Sequence, residues 1–360
     1  MFSILRPFLF KLDPETAHDF AIKSLKLNLL PAKVFEVEDE QMLKIELLGK
    51  SFPNPIGLAA GFDKSAEAYN SLLRLGFGFV EVGTVTPLKQ FGNPKPRVFR
   101  LKKDQGIINR NGFNNLGMIE AKKKLGRYRK DFPIGSDFVL GINIGPNKDS
   151  KDRFDDYETL SKNLSEFSDY ISINISSPNT PNLRDLHESI ELERVLAAVK
   201  NGILQSKKAN IKLPIFLKIS PDIKKDVLEK IVRIANKKKI TGLIISNTTI
   251  DRNNNLSSKN FKEVGGLSGK PLFIKSTNIL SMANKIIKKN NYSLHLIAVG
   301  GVYNSQTTYA KILCGASLVQ LYTSLTYEGP LIADKIIKGL LDLMKRDKIT
   351  HFDQIRGTID

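Results

Sequence analysis

The sequence predicts an α/β fold, a (β/α)8 TIM barrel with a small N-terminal helical extension. Three observations predict it. Eight short apolar runs alternate with amphipathic stretches of helical period, the pattern of a parallel barrel. No Pro/Gly-rich linker divides the 360 residues, so one large domain is expected. Nearly every apolar run ends in an amide, a hydroxyl, a lysine or a glycine, at the end where barrel enzymes carry their sites.

Residues 2–10, FSILRPFLF, are dense in large apolar side chains. Asp13-Pro14 then supplies an N-cap and a proline for the first helical position. The helix that follows places Ala17, Phe20, Ala21 and Leu25 on one face. Two short amphipathic helices are therefore expected, with residues 1–38 as a helical segment and 39–360 as the barrel. Read alone, the segment is either a helical pair packed on the barrel or an interfacial anchor that dips an apolar face into a bilayer or admits an apolar ligand. Residues 40–52 read as a small hairpin.

The eight strands are expected near 55–59, 79–83, 138–143, 170–175, 215–219, 242–246, 295–299 and 317–321. Helices are expected over 65–75, 115–125, 156–166, 188–205, 224–237, 273–289 and 304–313. A further hairpin, VFRL–KKDQG–IINR, lies in the insertion between the second and third strands.

The strand ends define the site. The first ends in Ala60-Gly61-Phe62-Asp63-Lys64 and the second in Gly83-Thr84; the insertion adds Asn109-Arg110-Asn111-Gly112-Phe113. The third ends in Asn143 and the fifth in Lys218, which at that place is either a ligand contact or half of a structural ion pair. The sixth ends in Ser246-Asn247-Thr248, the seventh in Gly300-Gly301 and the eighth in Tyr322-Thr323. The fourth, within ISINISSPNTPNL (171–183), presents Asn174, Ser176, Ser177 and Asn179 where the strand breaks at Pro178. By itself that stretch is an ordinary Ser/Asn/Pro turn; as the end of a barrel strand it is a polar cradle. Asp63 is the one carboxylate among these ends, so the site suits an anionic, hydrogen-bonding ligand and neither a metal nor a glycosidase-type carboxylate pair. Gly300-Gly301 and the loop Gly265-Gly266-Leu267-Ser268-Gly269 let backbone N–H groups approach a phosphate, at the usual phosphate position of this fold.

Composition narrows the classes further. The single cysteine, Cys314, excludes a disulfide framework and a CxxC pair, and the four histidines have no zinc-type spacing. No stretch approaches the ~18–20 apolar residues of a spanning helix. The net charge of +18 is spread over several helices with little aromatic interleaving, which favours a Lys-rich surface over an anionic macromolecular partner.

Ten motifs in order, DPETAH, GLAAGFDK, VEVGTVTP, GNPKPRVFRL, INRNGFNN, INISSPNTP, SNTT, GGLSGKP, VGGV and GASLVQLYTSL, resemble the dihydroorotate dehydrogenases, specifically the membrane-associated, quinone-reducing class. The resemblance covers essentially the whole chain. It implies an FMN barrel that oxidises dihydroorotate to orotate in pyrimidine synthesis and passes the electrons to a ubiquinone-type quinone. It makes Ser177 the catalytic base for the C5 proton. It implies substrate contacts from Lys64, Asn109, Arg110, Asn111, Gly112, Phe113, Asn174, Asn179, Asn247 and Thr248. FMN contacts are implied at Ala60, Gly61, Phe62, Asp63, Lys64, Thr84, Asn143, Asn174, Lys218, Ser246, Gly269, Gly301, Tyr322 and Thr323. His18, which alone reads as a packed histidine, and Arg100 are implied to line a quinone passage through the N-terminal helices. Further expectations are one non-covalent FMN per chain, no metal, no nucleic acid, a monomer, and lipid contact through the N-terminal helices. The chain starts about a dozen residues before DPETAH, without the transit peptide and spanning helix of mitochondrial members. The expected place is the bacterial inner membrane, peripheral, on the cytoplasmic side.

Two positions depart from the pattern: Asn182 where glycine is expected, and Pro146 where a polar or basic residue is expected. The soluble class of the same enzymes uses cysteine as base, and here that position is Ser177. A tRNA-modifying flavin barrel would need a cysteine acid and a C-terminal helical domain. A non-catalytic barrel would be marked by loss of Ser177 or Lys218, and both are present.

Overall fold

A computed structural model of the chain describes residues 2–27, 41–134, 138–180, 183–208, 210–252 and 255–359. The expected boundary at 38/39 and the departure at Asn182 lie outside the described residues. The two N-terminal helices are present, α1 (Phe2–Leu9) and α2 (Pro14–Lys26). The Asp13 carboxylate accepts from the N–H groups of Glu15 and Thr16 at 3.0 and 3.1 Å, satisfying donors of the first turn of α2. A small antiparallel hairpin follows, β1 (Ile45–Leu47) and β2 (Lys50–Phe52).

The barrel then winds through β3 (Ile56–Leu58), α3 (Tyr69–Leu73), β4 (Phe79–Val85), an insertion with β5 (Val98–Leu101) and β6 (Gly106–Asn109), α4 (Met118–Asp131), β7 (Val139–Ile144), α5 (Arg153–Leu164) and β8 (Tyr170–Asn174). It continues with α6 (Ser189–Leu204), β9 (Ile215–Ile219), α7 (Lys225–Lys237), β10 (Gly242–Ile245), β11 (Gly266–Gly269), α8 (Phe273–Lys289), β12 (His295–Val299), α9 (Ser305–Leu313), β13 (Leu318–Leu321), α10 (Thr323–Glu328) and α11 (Ile332–Arg346). The closed sheet runs β10-β12-β13-β3-β4-β7-β8-β9, every neighbour parallel. All eight expected strands fall within it, with ends shifted by at most a few residues. The barrel strands are buried on both faces, which is why they read as near-continuous apolar runs.

Helices α10 and α11 add to the expected set, and one stretch differs from expectation. The stretch GGLSG, read as a glycine loop, contains strand β11, which pairs antiparallel with β6 beside β5. Its strand character comes from that long-range partner and not from its own residues, which lack strand propensity. A small second core, Leu101, Ile108, Leu256 and Leu267, holds this three-stranded sheet.

The N-terminal helices are tied to the site end of the barrel. Glu15 on α2 takes two hydrogen bonds from the Arg97 guanidinium beside β5, at 2.8 and 3.0 Å. Arg6 on α1 donates to the carbonyl of Tyr327 on α10 at 3.0 Å. No residue of α1 is buried, and Ile4, Leu5 and Phe8 stay exposed, Ile4 at 71% and Phe8 at 65%.

Candidate active site

A cavity of about 410 Å³ runs from the inner faces of α1 and α2 into the carboxyl end of the barrel. That lies within the ~300–1,000 Å³ range of small-molecule sites. Its outer part is apolar, between Leu5, Leu9, Phe10, Ala17 and Ala21. His18 and Arg100 stand in its wall. Arg100 donates to the Leu12 carbonyl at 2.8 Å and covers the Phe10 ring, so its charge braces the helix pair. His18 packs edge-on to Phe62, and burial, helped by the nearby Lys64 charge, pushes its pKa down to about 3.

The inner part is polar. From the first strand come Ala60, Phe62 and Lys64; from the insertion, Asn109 and Asn111; from β9, Lys218. The end of β10 gives Ser246, Asn247 and Thr248. The glycines Gly269, Gly300 and Gly301 close the far side with Tyr322 and Thr323. At Gly301 (φ +74°) an added Cβ would lie 2.2 Å from Phe273 Cα, and at Gly269 (φ +85°) 2.4 Å from the Gln105 carbonyl oxygen. Only glycine fits either place. Two cations face this space. Burial pushes the Lys64 ammonium down to about 8, against the pull of Glu15 and Asp19, and no ion pair or hydrogen bond holds it among the described residues. Lys218, 5% exposed, is also lowered by burial, with Glu81 opposing at 3.9 Å.

Behind the cavity lies a network of buried amides and hydroxyls. Thr84 Oγ1 donates to Asn143 Oδ1 (2.6 Å), and Asn174 Nδ2 donates to Thr84 Oγ1 (3.0 Å). Asn247 Nδ2 reaches Ser176 Oγ (2.9 Å), whose proton goes to Asn174 Oδ1 (3.1 Å). Ser176, without a role in the sequence reading, thus links the loops after β8 and β10. Arg184 clamps the same loops: its guanidinium donates to the carbonyls of Ser176 and Thr248, both at 3.2 Å, and pairs with Asp222 at 3.0 Å.

Ser177 is buried, at 6% exposure, and its Oγ accepts from the Asn179 N–H at 3.2 Å. Asn179 in turn donates to Asn109 Oδ1 at 3.3 Å, joining the Ser177 loop to the insertion. The Thr180 hydroxyl, three residues on from Ser177, is buried without a hydrogen-bond partner among the described residues. Phe113 and Gly112 belong to the same insertion, with Phe113 (φ +53°) half-buried against the core.

Of the expected residues, Ser177, Thr84, Asn143, Asn174, Asn179, Gly112 and Phe113 do not line the cavity, and Asp63, Arg110 and Gly61 also stand apart from it. The Asp63 carboxylate is spent on the N–H groups of Glu67 and Ala68, at 2.7 and 2.8 Å, so it braces its own loop. Arg110 turns away to Glu263 (2.8 Å) and the Pro96 carbonyl. Gly61 (φ +105°) supports the wall from behind, its N–H on the Gly83 carbonyl. The residue that sequence reasoning missed is Glu81, fully buried inside the barrel. It accepts from Asn143 Nδ2 (2.8 Å), Tyr170 OH (3.0 Å) and Gln320 Nε2 (2.9 Å). The signal was a lone carboxylate within FVEVGTV, a strand that is otherwise apolar or small.

Fold and site together define a class: a (β/α)8 barrel with a cationic, amide-rich pocket at its mouth beneath an amphipathic helical cap. The family model for dihydroorotate dehydrogenase matches residues 42–344, and the chain belongs to that family. It is 45% identical over 354 residues to a dihydroorotate dehydrogenase (quinone) of Allorhizobium ampelinum, covering 98% of this chain and 95% of the relative. A protein of the same name from Parvibaculum lavamentivorans is 44% identical over 357 residues, covering 99% and 98%. Among solved structures, the dihydroorotate dehydrogenase of Eimeria tenella in complex with ferulenol superposes with a TM-score of 0.90 at 37% identity, covering 96% of this chain and 95% of that one. Its ligand-free form gives 0.89 at the same identity, with 96% and 99% covered.

Proposed function

We propose that the chain oxidises dihydroorotate to orotate with FMN as its redox group and a membrane quinone as final oxidant, in pyrimidine biosynthesis. The observation that carries this reading is the single cavity that joins the apolar faces of α1 and α2 to the cationic mouth of the barrel. An apolar oxidant and an anionic reductant can then serve one redox group from chemically different ends.

The residues present fit FMN. The two glycine positions that admit no Cβ, with Tyr322 and Thr323, form a cradle for its phosphate. Lys218 lies where positive charge would steady the reduced ring. Bound flavin supplies hydride acceptance from carbon and electron delivery to the quinone. The remaining work falls to the protein. Lys64, partly buried and without an ion pair among the described residues, takes the substrate carboxylate. Asn109, Asn179, Asn247 and Thr248 offer donors and acceptors to the ring amides; Asn179 is tied to Asn109, Asn247 to Asn174 and Ser176, and the Thr248 N–H to Asn247. Ser177 Oγ removes the C5 proton as the C6 hydride departs. The Asn179 N–H on Oγ favours the deprotonated hydroxyl, burial excludes water, and the Thr180 hydroxyl in the same loop, without a hydrogen-bond partner among the described residues, can pass the proton on.

The exposed Ile4, Leu5 and Phe8 on α1 fit contact with lipid, and no described helix is long and apolar enough to cross a membrane. The reading places α1 and α2 on the cytoplasmic surface of the bacterial inner membrane, feeding quinone past His18 and Arg100. A comparison of ubiquinone, fumarate and NAD as oxidants for dihydroorotate tests it. Turnover with the quinone alone is expected. Turnover with fumarate or NAD would remove the quinone assignment, and purified protein that neither carries nor takes up FMN would remove the flavin.

A further inference from the structure

Lys311 on α9 is 0% exposed, one of the largest fully buried side chains of the molecule. No carboxylate lies within ion-pair distance of its ammonium among the described residues. Its hydrogen bond goes to Ser276 Oγ on α8 at 2.7 Å, and the Phe273 ring lies with its centroid 5.4 Å away. A buried ammonium without a counter-charge costs several kcal/mol unless something answers it.

The hydrogen bonds beyond Ser276 show where the charge is directed. Ser276 Oγ lies 2.8 Å from the carbonyl oxygen of Gly300, the nearer of its two acceptors, with the Phe273 carbonyl at 3.1 Å. A trans peptide points its C=O and the next N–H in opposite directions. Holding the Gly300 carbonyl against Ser276 therefore turns the Gly301 N–H the other way, toward the cavity that both glycines line. That N–H takes no backbone partner among the described residues.

We propose that Lys311 is the buried counter-charge and, through Ser276, the positioning residue of the phosphate cradle at Gly300-Gly301. It does not line the cavity, so it acts through the loop and through its field. In the low-dielectric interior that field favours a dianion over a neutral group at the same place. Burial pushes the ammonium's pKa down to about 7, and a phosphate nearby would hold it charged.

The inference rests on the FMN reading and is tested by comparing FMN with riboflavin, which carries the same ring without the phosphate. Both are titrated into flavin-stripped full-length wild type, Lys311→Met and Ser276→Ala. Lys311→Met is expected to weaken FMN by about tenfold and leave riboflavin within about twofold. The flavin-free Lys311→Met protein is expected to melt at a higher temperature, since a costly buried charge is gone. Equal losses for both ligands, or no loss for either, would overturn the inference. Should Lys311→Met fail to fold, Ser276→Ala decides by the same ratio, with a smaller FMN-selective loss expected. Wild type that binds neither ligand would instead overturn the flavin reading and this inference with it.

Discussion

A serine hydroxyl becomes a base only where its surroundings favour the deprotonated form, and Ser177 has a backbone N–H aimed at its oxygen and little water around it. Ser177→Ala is expected to retain flavin while reduction by dihydroorotate slows roughly 10²–10⁴-fold in stopped flow; near-normal reduction removes it from the base role. Lys64 gives a pH signature. Its pKa is lowered to about 8 in the ligand-free protein, and the charged form is the one that holds a carboxylate. Orotate affinity should be full below pH 8 and fall as pH rises through it, until the raised pKa of the ligand-bound lysine is passed. A flat profile from pH 6 to 10, or one unchanged in Lys64→Ala, argues against that contact. Ser176→Ala should raise the KM for dihydroorotate severalfold with little change in melting temperature, because it frees Asn247 without opening a core cavity. The polar character of these positions was legible in the sequence as strand-end residues. Their division of labour came only from the family resemblance, which singles out Ser177, because Ser176 and Ser177 are neighbours of one type and only the fold turns one toward Asn174 and the other toward Asn179.

At the scale of elements, α1 and α2 behave as an attached cap. They touch the barrel through the Glu15–Arg97 and Arg6–Tyr327 contacts, and α1 buries none of its own residues. Deleting residues 1–33 should lower quinone turnover and vesicle binding more than it lowers flavin reduction by dihydroorotate. Equal losses in both half-reactions would mean that the helices only support the fold. The cap was legible because capping is local: Asp13 and Pro14 announce the start of α2 within two residues. Strand β11 was illegible for the opposite reason. Its four residues, GLSG, become a strand by pairing with β6 more than 150 positions earlier in the chain.

For the whole molecule, the interior of the barrel is organised by Glu81. Its carboxylate on β4 meets side chains from β7, β8, β9 and β13, so one residue joins five of the eight strands. Glu81→Leu strands Lys218 without its counter-charge and removes the acceptor of Tyr170 and Gln320, and should destabilise the flavin-free protein by about 3–5 kcal/mol in urea unfolding. A change under about 1 kcal/mol would show the pair to be dispensable. The eight-strand count was legible because every barrel strand is buried on both faces and reads as an apolar run. The same uniform burial hid Glu81: with no alternation along FVEVGTV, nothing local tells which side chains point inward.

The cavity that begins beneath α1 and ends at the glycine cradle has a consequence for kinetics. An elongated apolar molecule lodged between the two helices blocks the oxidant's approach and leaves Lys64 and the asparagines accessible. Such a molecule should permit one equivalent of orotate per chain and then arrest the enzyme, a stoichiometric burst with no steady state after it.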